Sequence, residues 1–120
     1  MDPEQLARAF SGHRFEEALP HLADDIVWTL VGETELTGSQ AVAEACRSMA
    51  AELADIETVF HQFDVVVGAL RGDGTDAVVV DSVADYVDKL GDTSTVASCD
   101  LYSFADGKLA AIRSYTAELE

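Results

Sequence analysis

Two long alternating stretches near the end of the chain, joined by Asp106-Gly107, constrain the fold more than any other feature. An Asp-Gly pair between alternating runs is a strong local signal for a β-hairpin, because the left-handed backbone of a tight turn suits glycine and is tolerated by aspartate. Residues 93–104 and 108–118 are therefore predicted to pair as antiparallel strands. Asp100 lies inside the first strand, where a carboxylate either faces water or lines a pocket.

The residues before this hairpin predict helices first and long strands afterwards. Asp2-Pro3-Glu4-Gln5 is typical of a capped helix start, and residues 14–22 and 39–53 carry apolar residues at helical spacing. Thr37-Gly38-Ser39-Gln40 predicts a second capping box, residues 26–31 a short strand, and residues 32–37 a loop. Residues 57–70 and 76–89 alternate as strands, with a turn at 72–74. This order predicts one α+β domain over residues 1–120.

Charge and cysteine content limit the partners and the compartment. The chain has 23 acidic and 7 basic residues, for a net charge of -16, which disfavours nucleic acid and anionic membrane surfaces. No apolar run approaches the length of a signal peptide core or a membrane span, and Cys46 and Cys99 lack the spacing of a metal or redox pair. We therefore expect a cytoplasmic protein with no membrane partner.

The three histidines show no metal-ligand spacing, so no metal and no cofactor are expected. His13 and His21 are interpreted as surface or helix-end residues. His61, on the first long strand, is close enough to the expected pocket to reach its mouth.

The order of elements resembles the nuclear-transport-factor-2-like superfamily, and within it the SnoaL-like group. The resemblance rests on FEEALPHLADDIVWTLVG at 15–32, LTGSQAVAEACRSM at 36–49 and DLYSFADGKLAAIRSYTAEL at 100–119. It implies a cone-shaped fold in which three N-terminal helices pack in the concave face of a curved, mostly antiparallel sheet around a deep apolar pocket. The convex face often forms a homodimer, and Arg113 and Tyr115 are assigned to that contact.

The resemblance also implies a role for Asp100. Ketosteroid isomerases carry a buried, neutral aspartic acid at this position, which donates a hydrogen bond to a developing oxyanion. Their general-base position holds Leu30 here, and their two tyrosine positions hold Phe10 and Cys46. Because proton transfer between carbons needs a base, a true ketosteroid isomerase is not expected. The alternative for Asp100 is a structural aspartate that is hydrogen-bonded or faces solvent.

A second comparison, with limonene-type epoxide hydrolases, concerns Asp85. That resemblance places Asp85 at a catalytic aspartate position, but Val83 and Ser114 stand where an arginine and a second aspartate are expected. If Asp85 and Asp100 face one dry pocket, they cannot both ionise, and one can act as acid or base near neutrality.

The facing of this strand stays open at the sequence level. One register has Asp81, Val83 and Asp85 facing the pocket, whereas a single bulge turns these aspartates to solvent and brings residues 82, 84 and 86 inward. The apolar character of the second set favours that alternative.

The leading interpretation is a cofactor-independent acid–base enzyme, of the cyclase, isomerase, dehydratase or hydrolase type, acting on a hydrophobic small molecule. Asp100 would be the acid or oxyanion donor and Asp85 its partner. The residues predicted to line the ligand pocket are Phe10, Trp28, Leu30, Cys46, Val83, Tyr102, Ile112 and Ser114. The alternative is a non-catalytic ligand-binding or dimerising module of the same fold, which the missing bases favour.

Overall fold

The computed structural model describes residues 1–69 and 76–119, so the turn predicted at 72–74 lies outside it. Its helices are α1 (Pro3–Ser11), α2 (Phe15–Ala18) and α3 (Ser39–Leu53), with a 3₁₀ turn at Leu19–His21. Its strands are β1 (Leu22–Leu30), β2 (Thr34–Thr37), β3 (Glu57–Ala69), β4 (Asp76–Val87), β5 (Thr93–Ala105) and β6 (Lys108–Leu119).

The strands form one six-stranded sheet in the order β2-β1-β6-β5-β4-β3. All neighbours are antiparallel except β1 and β6, which run parallel. The helices lie on one face of this curved sheet, α1 against β3 to β6 and α3 against β1 and β2. The predicted α+β fold is confirmed. None of the helices in the described part of the chain is long and apolar enough to cross a membrane.

The two predicted capping boxes have different outcomes. At α1 the Asp2 carboxylate accepts from the Gln5 backbone N–H at 2.7 Å, and Gln5 Oε1 accepts from the Asp2 N–H at 2.9 Å, which confirms the first. The second is wrong, because the N-cap of α3 is Gly38, which has no side chain to cap with. Thr37 instead belongs to β2 and pairs with Val27 of β1, in a segment predicted to be a loop.

The boundary between α2 and β1 also differs from the prediction. The helix expected over residues 14–22 is only 4 residues long and continues as the 3₁₀ turn that contains Pro20. Proline has no backbone N–H and its ring clashes with the preceding helical turn, so α2 stops early. The chain then becomes extended, and β1 begins at Leu22 rather than at residue 26.

The final hairpin forms as predicted and sets which side chains face the helices. Asp106 (φ 52°) and Gly107 (φ 77°) both have left-handed backbone, as a two-residue type I′ turn requires. Asp100 pairs with Val80 of β4 and with Ser114 of β6. Because side chains alternate along a strand, the even-numbered residues of β5 face the helices and the odd-numbered ones lie on the opposite, open face of the sheet.

A β-bulge in β3 adjusts the edge of the sheet. Phe60 pairs with Ala84 and Gln62 with Val83, which leaves His61 as the extra residue. The bulge lets the rings of Phe60 and Phe63 both reach the helix side, where their centroids are 5.2 Å apart. His61 and Gln62 consequently both lie on the open face.

Candidate active site

A cavity of about 320 Å³ lies between the helices and the sheet. Most of its wall is apolar, and Phe10 packs edge-on against Phe15 and Trp28, with ring centroids 5.3 and 5.0 Å apart. The apolar lining residues are Phe10, Phe15, Trp28, Leu30, Met49, Leu53, Phe60 and Val96. The polar ones are Ser11, His13, Glu52, Ser82, Tyr86, Ser98, Asp100, Ser114 and Thr116. Such a wall suits a hydrophobic ligand that is oriented by a few polar contacts.

Asp100 is held in this wall by a chain of hydroxyl groups. Ser11 Oγ donates to Asp100 Oδ2 at 2.8 Å and also lies within hydrogen-bonding distance of Tyr102 Oη. Because the single hydroxyl proton of Ser11 is used on the carboxylate, Tyr102 Oη must be the donor to Ser11. On the other side, Ser114 Oγ accepts from Trp28 Nε1 at 3.0 Å. The carboxyl group is thus positioned by Ser11 of α1 and by Ser114 of β6.

Burial decides the protonation of Asp100. Removal from water raises the pKa of Asp100 above the usual range, and hydrogen bonds from Ser114 and Ser11, together with the charge of His13, offset this only in part. Burial and the nearby Asp100 charge raise the pKa of Tyr102 well above its ordinary value, so it remains a hydrogen-bond donor. The protonated carboxyl of Asp100 persists to higher pH than that of a free aspartate and can donate a hydrogen bond.

His13 lies at the end of α1, as expected, but its side chain belongs to the cavity wall rather than to the outer surface. Its ring lies 5.8 Å from that of Phe15 and 5.9 Å from those of Phe60 and Tyr86. Its Nε2 is 3.5 Å from Tyr86 Oη. Burial lowers the pKa of His13, and the Asp100 charge opposes that shift, so the neutral imidazole is favoured near neutral pH.

The predicted pairing of Asp85 with Asp100 is wrong. Asp85 lies on the open face, where Thr95 Oγ1 donates to Oδ1 at 2.6 Å and His61 Nε2 lies 2.7 Å from Oδ2. The hydrogen bonds from Thr95 and His61 lower the pKa of Asp85. The register of β4 turns Ser82 and Tyr86 into the cavity instead. His61 consequently does not reach the cavity mouth either.

The other predicted pocket residues divide into three groups. Phe10, Trp28, Leu30 and Ser114 line the cavity. Cys46, Tyr102 and Ile112 lie behind its wall, in the hydrophobic core. Val83 shares the strand parity of Asp85 and lies on the open face with it.

Cys46 is fully buried in the core. Its removal from water raises the pKa of the thiol to about 12, so the neutral form dominates and packing is its role.

The sequence matches a known protein family. A family model for the SnoaL-like domain matches residues 4–112. The chain belongs to the SnoaL-like domain family. No curated protein matches the sequence as a relative.

Solved structures share the fold of this SnoaL-like domain at low sequence identity. An NTF2-like protein of unknown function from Cytophaga hutchinsonii superposes with a TM-score of 0.75, at 22% identity over 94% of both chains. An LEH-like epoxide hydrolase from M. tuberculosis gives 0.65, at 20% identity over 96% of this chain and 82% of its own. A proposed SnoaL-like polyketide cyclase from Mesorhizobium loti gives 0.64, at 19% identity over 94% of both chains. These matches establish the nuclear-transport-factor-2-like fold.

Sequence reasoning missed several polar groups of this SnoaL-like cavity, among them Ser11 and His13. Ser11 is the last residue of α1 and His13 follows its C-cap, and a Ser-Gly-His run at a predicted helix end is typical of a surface loop. The one available signal was the proximity of these residues to Phe10, which the resemblance already placed at the pocket. With Asp100, they give the cavity an acid, an imidazole and a hydroxyl relay.

Proposed function

We propose that this SnoaL-like protein is a cofactor-independent acid–base enzyme acting on a neutral, hydrophobic small molecule, by cyclase, isomerase, dehydratase or hydrolase chemistry. Asp100 is its acid, or the donor of a hydrogen bond to a developing oxyanion. The observation that supports this is a carboxyl group in a cavity wall whose surface is mainly apolar, where burial raises the pKa of that carboxyl. A carboxyl group whose pKa is raised keeps its proton to higher pH than a free aspartate and can give it to a reacting oxygen.

The charge of the cavity supports a neutral substrate. Within the described residues, the side chains that line it include Asp100 and Glu52 but no lysine or arginine. A carboxylate or phosphate ligand would lose its hydration without gaining a permanent cationic partner. The epoxide hydrolase and the proposed polyketide cyclase that share the fold have names consistent with chemistry on small organic molecules.

The second candidate is a non-catalytic module that binds a small ligand or dimerises. Leu30 and Ser114 favour it, because both line the cavity at positions where related enzymes carry ionisable groups. Binding without turnover would distinguish it.

Two further proposals concern the cellular compartment and the oligomeric state of the protein. Both cysteines are free thiols, which supports a reducing compartment such as the cytoplasm. The open face of the sheet, with Tyr115 42% exposed, supports a homodimer formed through that face.

Two neutral probes test the proposal, styrene oxide for epoxide opening and 2-tetralone for proton exchange at carbon in D₂O. The wild-type protein is expected to accelerate at least one of these reactions over buffer. Replacing the acid by a similar-sized apolar group, Asp100→Leu, should reduce the accelerated rate about 100-fold. Because Trp28 is the only tryptophan and lines the cavity, its fluorescence reports whether each probe binds.

A titration completes the experiment. The ¹³C carboxyl resonance of Asp100, assigned by its loss in Asp100→Asn, is expected to titrate above the range of a free aspartate. Binding of 2-tetralone, whose oxygen only accepts hydrogen bonds, should weaken as Asp100 ionises. Quenching of Trp28 by both probes with no acceleration would instead support the binding module. An ordinary Asp100 pKa with binding that does not depend on pH would refute the acid role.

A further inference from the structure

The backbone at the end of α1 aims His13 into the cavity. The Arg14 N–H bonds to Ala9 O at 2.8 Å and the His13 N–H to Phe10 O at 3.1 Å. These are the two hydrogen bonds of a Schellman motif, in which the residue after the helix cap adopts left-handed backbone and is usually glycine. Here that residue is His13, with φ 64°. An imidazole side chain therefore occupies a position at which backbone energetics favour glycine.

The neighbouring glycine does not relieve this strain. Gly12 has φ -83°, and a Cβ at this position would lie 2.8 Å from Arg8 O. Gly12 is therefore required by the close approach of the helix end, and the left-handed position falls to His13. Left-handed backbone at a non-glycine residue is strained, and such residues are concentrated at functional sites. The placement of His13 is an observed outlier that points to a role for its side chain.

The titratable groups that line the cavity together with His13 come from three elements of the fold. Asp100 of β5, Tyr86 of β4 and Glu52 of α3 line the same cavity. Tyr86 lies closest, with Oη 3.5 Å from Nε2, and burial together with the Asp100 charge raises the pKa of Tyr86, so its hydroxyl stays neutral. His13 also lines a second cavity of about 270 Å³, together with Gly12 and Thr58. The imidazole therefore lines both cavities and lies within reach of a ligand in either of them.

We propose that His13 is the second proton-transfer residue of the cavity, acting as the base while Asp100 acts as the acid. This inference rests on the proposed function and supplies the base that Leu30 cannot provide. Both groups line the same cavity of about 320 Å³, so one small ligand can contact both of them. Neutral imidazole is a suitable base near pH 7 because its basicity matches the ambient pH.

The proton transfers balance without a further reactant. With a ketone in the cavity, His13 removes a proton from the carbon next to the carbonyl group, and the C–H electron pair becomes the C=C bond of an enol. The carbonyl oxygen takes the proton of Asp100, which leaves a carboxylate beside an imidazolium. When His13 returns its proton to carbon and the enol hydroxyl returns its proton to Asp100, a ketone and both starting groups are restored.

Deuterium incorporation into 2-tetralone in D₂O, followed by NMR, tests this step. His13→Asn, which tolerates left-handed backbone and cannot titrate, is expected to lower kcat for exchange about 100-fold with little change in KM. His13→Gly should lose the exchange while keeping the fold, because glycine suits the position. Imidazole added to His13→Gly should restore part of the rate. His21→Asn, outside the cavity, is the matched control and should exchange like the wild type.

The pH profile provides a second readout. The wild-type exchange rate should rise with pH through the pKa of His13, which burial places below that of a free histidine, and His13→Asn should lack this limb. Wild-type exchange in His13→Asn, or lost exchange in His13→Gly without rescue by imidazole, would overturn the base role. Asp100-dependent opening of styrene oxide without exchange of 2-tetralone would refute it while leaving the proposed function standing. Inactivity on both probes would refute both.

Discussion

Asp100 and His13 illustrate how one environment changes two kinds of group in opposite directions. Burial raises the pKa of Asp100 and lowers the pKa of His13, because in both cases the charged form loses hydration. Aspartate ordinarily titrates far below histidine, so these shifts bring the two pKa values closer together. One proton can then lie on either group while the pair keeps no net charge, and the two opposite shifts lower the free-energy difference between these two states.

The raised pKa of Asp100 has a consequence for stability. Between its unfolded and folded pKa values the folded protein binds more protons than the unfolded chain, so the free energy of unfolding falls as pH rises through that interval. Asp100→Asn removes the ionisable group. We therefore expect this variant to be more stable than the wild type at about pH 8, and its advantage to shrink as pH falls toward the ordinary aspartate pKa of about 3.9.

Urea unfolding followed by Trp28 fluorescence over a pH series measures this difference. A gap between Asp100→Asn and the wild type that stays constant with pH would contradict a raised pKa for Asp100.

At the scale of elements, the turn between β5 and β6 shows how local chemistry specifies the hairpin. Gly107 has φ 77°, and a Cβ there would meet no atom within 4 Å. Gly107→Ala is therefore expected to destabilise the protein by about 1 kcal/mol through backbone strain alone.

Gly68→Ala is the matched control for the hairpin turn. Gly68 also has open space around its Cβ position and lies in β3, without left-handed backbone. The alanine variant should be neutral or stabilised by about 0.4–1 kcal/mol, because alanine lowers the entropy of the unfolded chain. Equal losses in the two variants, by chemical denaturation, would show that φ at residue 107 is not the cause.

The elements also show where sequence reasoning succeeds and where it fails. The cap of α1 and the final hairpin depend on neighbouring residues, and both were predictable. The facing of β4 was left open between two alternatives, and the one that its apolar character favoured, with residues 82, 84 and 86 inward, is the one that forms. The pairing of Asp85 with Asp100 depended on the other alternative, because only the register with β3 and β5 fixes which face of β4 is inward. The left-handed position of His13 depends similarly on how α1 ends, which no apolar pattern indicates.

For the whole molecule, the two faces of the sheet have separate roles. The helix-bearing face holds the cavity, whereas the open face combines apolar side chains with charged ones. Arg113 Nε donates to Tyr115 Oη at 2.6 Å and its guanidinium lies 5.3 Å from the centroid of that ring. His61 and Asp85 form a second polar cluster there, 2.7 Å apart. A face that carries both apolar residues and polar pairs is compatible with the proposed homodimer.

The last prediction concerns that dimer. Val83 lies between Gln62 and Ala97 in the middle of the open face, so Val83→Asp would bury a charge in the proposed interface. We expect the wild type to be a dimer by light scattering and Val83→Asp to be a monomer that keeps its circular dichroism.

Leu90→Asp is the matched control for the interface substitution, because Leu90 is 87% exposed and lies between β4 and β5, beyond the ends of both strands. This variant should stay dimeric. Since each chain carries a net charge of -16, added salt should strengthen wild-type association by screening repulsion between the subunits. A wild-type monomer at every salt concentration would refute the dimer, and dimers of Val83→Asp would exclude the centre of the open face as the interface. Neither result would change the acid–base proposal, because the cavity residues lie on the other face.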